Sequence, residues 1–313
     1  MKKPRFLRNK RIDFSVLVPD AKSYLTWHRR PRTLANFKSS SSSVSHQDTA
    51  IVLQGDLNHS SEFAIETVKL YKQIFPGIRI VLSTWVTARG NDTKALEQLG
   101  CVVVLSPMPA SPGPSNRNLQ LVSSNAGLKA ANEIGVKYLL KSRLDQRIYS
   151  PHALSLLKGL INRFPLSGPG TSQTKRLAVI SNNTFISRIY GISDFLTFGI
   201  AADVLTYWGQ GSQPDAPKDS SESNLDATSE TFPEVYFCSN FLTRTEWDCN
   251  WTQKDWEFAL QSRFIVVDGM SLDFFWNKYS SREMLWRRYG QIPHLEEVTF
   301  GGWLELIGAE NRQ

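Results

Sequence analysis

"YLLKSRLDQRIYSP", residues 138–151, opens as an apolar strand and closes on charge. Tyr138, Leu139 and Leu140 suit a core, and Lys141, Arg143, Asp145 and Arg147 then follow at alternate positions. Alternate residues of a β-strand share one face. A strand that holds to its end therefore turns all four charges the same way. Burying such a row costs free energy unless the charges pair or meet a ligand. Two readings stand. One is a strand running into solvent with an internal Arg–Asp ion pair. The other is the carboxyl end of a sheet strand that holds an anionic ligand.

The segments before it set the kind of sheet. "TAIVLQGDL" (49–57) is an apolar run ended by Gly55 and Asp56. Over residues 61–75, Ala64, Val68, Tyr71 and Phe75 fall at helical spacing, and Pro76-Gly77 stops the helix. "IRIVLSTW" (78–85) is a second strand, "TKALEQLG" (93–100) a short helix ended by Gly100, and "CVVVLSP" (101–107) a third strand. A loop rich in Pro, Ser and Gly spans 106–116. A helix over 118–135 follows, with Leu121, Leu128, Ala131 and Ile134 on its buried side. Apolar strands alternating with amphipathic helices predict an α/β fold, a mainly parallel sheet covered on both faces with right-handed crossovers. Ligands of such sheets sit outside the carboxyl ends of the strands. Those ends are Gln54-Gly55-Asp56, Ser83-Thr84-Trp85, Ser106-Pro107 and Arg143-Leu144-Asp145.

The later half is less regular. "LAVISNN" (177–183) reads as a strand. "SDFLTFGIAADVLTYWG" (193–209) reads as a strand, a turn at Gly199 and a helix of about 10 residues. Residues 210–232 read as a polar loop. "PEVYFCSNFLTR" (233–244) opens with Pro233 at a good first-turn position and reads as a helix. "KDWEFALQSRF" is a further helix, "FIVVDG" a short strand, and residues 271–290 are aromatic and basic.

The net charge of +7 is not spread evenly. Residues 1–38 carry a net +9, leaving the rest at −2. The first 48 residues are thus expected to be a basic arm with a flexible Ser-rich linker, "SSSSSVSHQD" (39–48), ahead of one folded domain over 49–313. The arm has no apolar run of signal-peptide length, and no segment reaches the roughly 18 apolar residues of a spanning helix. A cytoplasmic protein is expected, with peripheral placement at the inner face of the plasma membrane as one role for the arm. Contact with nucleic acid and a solubilising tail are the other roles. The slightly acidic body argues against nucleic acid as a partner. Cys101, Cys238 and Cys249 are odd in number and widely spaced, which opposes a disulfide framework and a zinc site.

Several chemistries are excluded by their missing motifs. There is no GxGxxG after the first strand, no GxxxxGK[ST], no GxSxG elbow and no HExxH. What remains is an acid at the end of a fourth parallel strand, flanked by bases. That suits a nucleotide-diphosphate sugar, whose leaving group develops negative charge as the glycosidic bond breaks. Lys141, Arg143 and Arg147 can supply positive charge, and Asp145 can hold a divalent cation through oxygen. Trp85 either stacks on a base or sugar or is a hydrophobe of the rim.

"IVLQGDL", "FPGIRIVLSTW", "NLQLVSSNAGLKAA", "KYLLKSRLDQRIY", "ISDFLTFGIAADVLTYW" and "PEVYF", in this order, resemble the WavE lipopolysaccharide-synthesis family from about Ile51 to Tyr279. The resemblance implies a GT-A-type glycosyltransferase. Its nucleotide-sugar half would be the Rossmann-like 49–150 and its acceptor half 151–313. It would transfer a sugar from a nucleotide-sugar donor to a glycan or lipid-linked glycan acceptor of the cell surface. A catalytically inactive glycan- or nucleotide-binding relative is the alternative. Carried over position by position, the family's pattern puts donor contacts on Gln54, Gly55, Thr84, Trp85, Asn118, Gln120, Lys141, Arg143 and Arg147. Leu119 stands where the family has an arginine, and Arg117 is the nearest substitute. GT-A enzymes commonly carry Asp-x-Asp where this chain has Asp145-Gln146-Arg147. The resemblance therefore implies a Mn²⁺ or Mg²⁺ site on Asp145 completed by donor phosphates. For the base that deprotonates the acceptor hydroxyl, Asp194 and Glu234 are the candidates, and Glu234 after Pro233 equally suits the positive end of a helix.

Overall fold

The computed structural model describes residues 30–34, 41–211, 232–278 and 297–310, with side chains in the last segment through residue 308. By its contacts the chain divides into Met1–Pro31 and Arg32–Gln313, and the sheets and helices below all belong to the second unit. Nearly all of the basic arm, the loop beyond Gly211 and residues 279–290 lie outside the described residues.

The alternation read from the sequence is present through the first half. It runs β1 (Thr49–Gln54), α1 (Ser61–Ile74), β2 (Arg79–Trp85), α2 (Gly90–Gln98), β3 (Val102–Ser106), α3 (Arg117–Glu133) and β4 (Tyr138–Arg143). β5 (Gln146–Ile148), α4 (Ala153–Arg163), β6 (Leu177–Ile180), β7 (Thr197–Ile200) and α5 (Ala201–Trp208) follow. The chain then forms α6 (Pro233–Arg244), α7 (Gln253–Arg263), β8 (Phe264–Val267), β9 (Phe274–Trp276) and α8 (Phe300–Glu310). The described residues form a seven-stranded sheet in the order β3-β2-β1-β4-β7-β6-β8, with β5 and β9 as a separate pair. All neighbours in the large sheet are parallel except β7, which runs antiparallel to both β4 and β6. This is the expected α/β architecture, a mainly parallel sheet flanked by helices. β1 and β4 are central and their apolar residues are buried, whereas β3 is an edge and leaves Val102 and Leu105 exposed.

α3 lies across β1 and β2, and Gly127 lets it come close. A Cβ there would stand 2.6 Å from Val52 Cγ1 and 2.8 Å from Ser83 Cβ. Both neighbours are core strand atoms with little room to yield. Gly127→Ala is expected to cost about 1–3 kcal/mol by overpacking, read as a melting temperature lowered by several degrees. An unchanged melt would show that helix and sheet part without penalty.

Three expectations are corrected. The charged strand does not continue to Arg147. It ends at Arg143, and Leu144 N–H makes the last rung of the β1–β4 ladder by donating to Gln54 O (3.0 Å). Gln146 Oε1 then accepts from Ser142 Oγ and Arg143 N (3.0 and 3.2 Å), closing the turn with a side chain. The four charges thus do not share a face. Gly199 is not a turn but the middle of β7, paired with Leu139. The Ser-rich segment is not a free linker over its described part. Ser42 and His46 are buried, and their N–H groups donate to Ile74 O and Pro76 O at 3.0 and 2.8 Å.

Candidate active site

The register aligns the carboxyl ends of three strands. Gln54 of β1 stands between Ser83 of β2 and Arg143 of β4. β6 runs parallel to β4, since both are antiparallel to β7, so its exit at Asn182 and Asn183 lies on the same edge. β7 runs the other way, which puts its entry, and with it Asp194, on that edge too. A cavity of about 470 Å³ opens there. It is lined by Arg143, Asp194 and Glu234, by Gln120, Asn182, Asn183, Ser115 and Pro233, by Phe185, Phe195, Phe232 and Trp276, and by Glu297.

Arg143 holds Asp145 in a two-point ion pair, Nε to Oδ1 at 2.9 Å and Nη2 to Oδ2 at 3.0 Å. Burial pushes the Asp145 carboxyl up, but the Arg143 hydrogen bonds and charge outweigh it and hold the group below the usual carboxylate range. The guanidinium also lies 5.2 Å from the centre of the Trp276 ring. Trp276 meets Phe195 edge to face at 4.3 Å, and the two form an aromatic wall.

A carboxyl pair also lines the cavity. Glu234 enters at the first turn of α6, just after Pro233, and its Oε1 accepts from Asn183 Nδ2 at 2.6 Å. Burial, and then the neighbouring Asp194 charge, raise the Glu234 carboxyl above its ordinary range. Asp194 is 4% exposed, and its Oδ1 meets no hydrogen-bond partner. Asn183 organises this side. It sits in the left-handed region (φ 68°), which Asn tolerates. Its N–H donates to Glu297 Oε1 at 2.8 Å, and its carbonyl and Oδ1 accept from Arg188.

Lys141 is wholly buried behind the pair. Its Nζ donates to the Asp194 carbonyl at 2.7 Å and lies 3.9 Å over the Trp208 ring. Burial pulls its pKa from 10.5 down to about 7, with Asp194 and Asp145 opposing and Arg143 assisting. Between those values the unfolded chain holds a proton that the folded chain lacks. Stability should therefore rise with pH across that window, by at most about 1.4 kcal/mol per pH unit. Denaturant titrations at about pH 7 and about pH 8.5 should show this rise, and Lys141→Met should remove it. Equal slopes in the two proteins would mean that Lys141 stays charged in the fold.

The sequence-derived residues divide accordingly. Arg143, Asp194, Glu234 and Gln120 come together at the cavity, with Asp145 behind Arg143. The others do not line it. Arg147 is 2% exposed and spends its guanidinium on Thr67 Oγ1, Phe63 O, Tyr149 OH and Arg32 O. Trp85 is buried, and Thr84 Oγ1 accepts from Leu57 N. Asn118 is buried against its own loop, donating to Ser111 O and Pro112 O. Gln54 Oε1 accepts from Ser123 on α3, and Gly55 N–H donates to Ser83 O. Sequence reasoning passed over Asn182, Asn183, Arg188, Trp276 and Glu297. A signal existed for the two asparagines, since polar residues directly after an apolar strand are what singled out Gln54 and Arg143.

For a divalent cation the protein groups do not suffice. Asp145 gives both oxygens to Arg143, and among the described residues no three His, Cys, Asp or Glu side chains are placed to hold an ion. Among the described residues no helix is long and apolar enough to cross a membrane.

No curated protein matches the chain. Among solved structures it is similar to mannose-1-phosphate geranyltransferase from Thermus thermophilus. That pairing has 13% identity and a TM-score of 0.26, over 52% of this chain and 54% of that one, about half its length. It is also similar to glucosyl-3-phosphoglycerate synthase from Mycobacterium tuberculosis in complex with Mn²⁺, uridine diphosphate and phosphoglyceric acid. There the identity is 13% and the TM-score 0.33, over 72% of this chain and 87% of that one. The model of one family, WavE lipopolysaccharide synthesis, matches residues 49–272, from the first residue of β1 to just short of β9. That span holds every strand of the large sheet, the Arg143–Asp145 turn and both carboxyls of the pair, and the chain belongs to the WavE lipopolysaccharide synthesis family.

Proposed function

We propose that the chain is a glycosyltransferase that moves a sugar from a nucleotide-sugar donor to a saccharide acceptor of a cell-surface polysaccharide or lipopolysaccharide. The observation that carries this reading is the cavity on the carboxyl edge of the sheet, lined by both a guanidinium and a carboxyl pair. Family membership in lipopolysaccharide synthesis supports it. Arg143 faces the space where a donor diphosphate would leave. Glu234 or Asp194 would take the proton of the acceptor hydroxyl. The freed oxygen bonds to the anomeric carbon as the bond to the diphosphate breaks, and the nucleoside diphosphate departs with the electron pair. Positive charge aimed at a developing anion lowers the barrier most in a site that excludes water. Asp145 would orient the Arg143 fork. A Mn²⁺ or Mg²⁺ ion arriving with the donor would find Asp145 as its carboxylate ligand only in exchange for Arg143.

A panel of nucleotide sugars, incubated with the protein with and without EDTA and read as release of nucleoside diphosphate, tests this. Donor turnover is the expected result. Binding of a nucleotide with no turnover of any donor would favour an inactive relative that keeps the cavity.

A further inference from the structure

We infer that Arg188 is a positioning residue for the proposed transfer: through the side-chain amide of Asn183 it holds Glu234 as the group that takes the acceptor proton. The inference rests on the glycosyltransferase reading and chooses between the two carboxyls left open there.

The loop from β6 to β7 is folded around Arg188. Its Nη1 donates to Asn183 Oδ1 at 3.3 Å, and its Nη2 donates to Asn183 O. The guanidinium lies 4.9 Å from the centre of the Phe185 ring, and Phe185 lines the cavity. Gly191 leaves room for the arm, since a Cβ there would stand 2.8 Å from Arg188 Cδ. An arginine only donates hydrogen bonds. Arg188 therefore fixes the sense of the Asn183 amide. Oδ1 faces the guanidinium, and Nδ2 faces Glu234, where it donates to Oε1 at 2.6 Å. Without Arg188 the amide is free to turn over and set its oxygen against the carboxyl.

This pair of hydrogen bonds bears on the chemistry. A carboxyl must be ionised before it can take a proton, and a donor bonded to it favours that form. Around Glu234 stand Asp194, Arg188 and Asn183 of the loop, Tyr207 on α5, and Arg143 and Glu297 of the cavity lining. Burial and the Asp194 charge raise the Glu234 pKa, whereas the Arg188 charge, the residue's own N–H and the Asn183 bond lower it. The Arg188 charge acts on both carboxyls, but the hydrogen bond it directs reaches Glu234. Asp194 is served differently. Lys141 bonds its main-chain oxygen, and among the described residues no donor reaches its Oδ1. Glu234 is thus the carboxyl whose proton-accepting form the loop supports.

The test is a carbon-13 NMR titration of the full chain with glutamate labelled at the side-chain carboxyl. The Glu234 signal is the one absent from Glu234→Gln. Arg188→Met removes the charge and the donors, and Asn183→Gly removes the amide while tolerating the positive φ. Each is expected to move the Glu234 titration to higher pH. The double variant should move it by less than the two shifts added together, because both residues act on one chain of contacts. The rising limb of sugar transfer should move with the titration. A titration unmoved in either variant, or shifts that add in full, overturns the inference. Should Arg188→Met fail to fold, Asn183→Gly alone decides, and an unmoved titration there overturns it. A transfer limb that stays in place while the titration moves also overturns it, since the proton then goes to another group. No turnover of any donor, with the titration shifts present, would instead overturn the glycosyltransferase reading and leave the hold of Arg188 and Asn183 on Glu234 standing.

Discussion

Glu234→Gln is expected to fold and to lose sugar transfer by about 100-fold or more, the usual range for removing a general base. The amide keeps the shape of the side chain and can still accept from Asn183 Nδ2, so the local scaffold should survive. What goes is the ability to take a proton. The pH profile gives a second reading. Burial and the Asp194 charge raise the Glu234 pKa, so the working, ionised form appears only above the ordinary carboxylate range. Transfer by the unaltered protein should climb with pH through that raised value, and the residual rate of the variant should lack that limb. Stability runs the opposite way. Between the ordinary and the raised pKa the folded state holds the extra proton, so ionising Glu234 costs stability as pH rises. The variant should therefore be at least as stable as the parent at neutral pH. If Glu234 serves only the positive end of α6, the outcome reverses. Transfer would then persist, and stability would fall by about 0.3–1 kcal/mol. That result would move the base to Asp194.

The next largest effect is expected at Arg143. Arg143→Lys keeps a positive charge but loses the planar fork that grips Asp145 at two points. Nucleoside diphosphate binding should weaken by about tenfold or more, and transfer should fall further, because the charge on the leaving group peaks in the transition state. Calorimetric titration with UDP and GDP, beside rate measurements, would separate the two. Asp145→Asn is the informative companion. It leaves an acceptor oxygen beside Arg143 and removes the charge, so a purely orienting role predicts a smaller loss than at Arg143. A loss in Asp145→Asn as large as that in Arg143→Lys, relieved by raised Mn²⁺, would make Asp145 a ligand of an ion brought with the donor. Unchanged nucleotide binding in Arg143→Lys would remove the diphosphate from this wall of the cavity.

Local chemistry along the chain was enough to determine the first half of the fold. β1, β2 and β4 are apolar runs ended by turn residues, and the helices between them carry their apolar residues at helical spacing. Both patterns come from neighbours within a few positions, where spacing alone tells core from solvent. The edge position of β3 was not legible, because an apolar strand reads alike at the centre of a sheet and at its border. Polar residues at the strand ends marked Arg143, and the same rule applied to "LAVISNN" would have marked Asn182 and Asn183. Only the tertiary structure decided the rest. Alternation predicted one charged face for Lys141, Arg143, Asp145 and Arg147. A hydrogen bond from Arg143 N–H to the Gln146 side-chain oxygen, invisible to any periodicity, turned the chain and sent Arg147 to α1 instead. The insertion of β7 antiparallel between β4 and β6 depends on pairings that span about 20 to 60 residues. That one reversal sets Asp194 on the carboxyl edge of the sheet, where Glu234, far along the chain, meets it and has its proton affinity raised by burial and by the Asp194 charge. A carboxyl's pKa follows from what surrounds it in space, so the chemistry of this pair came into being only with the fold.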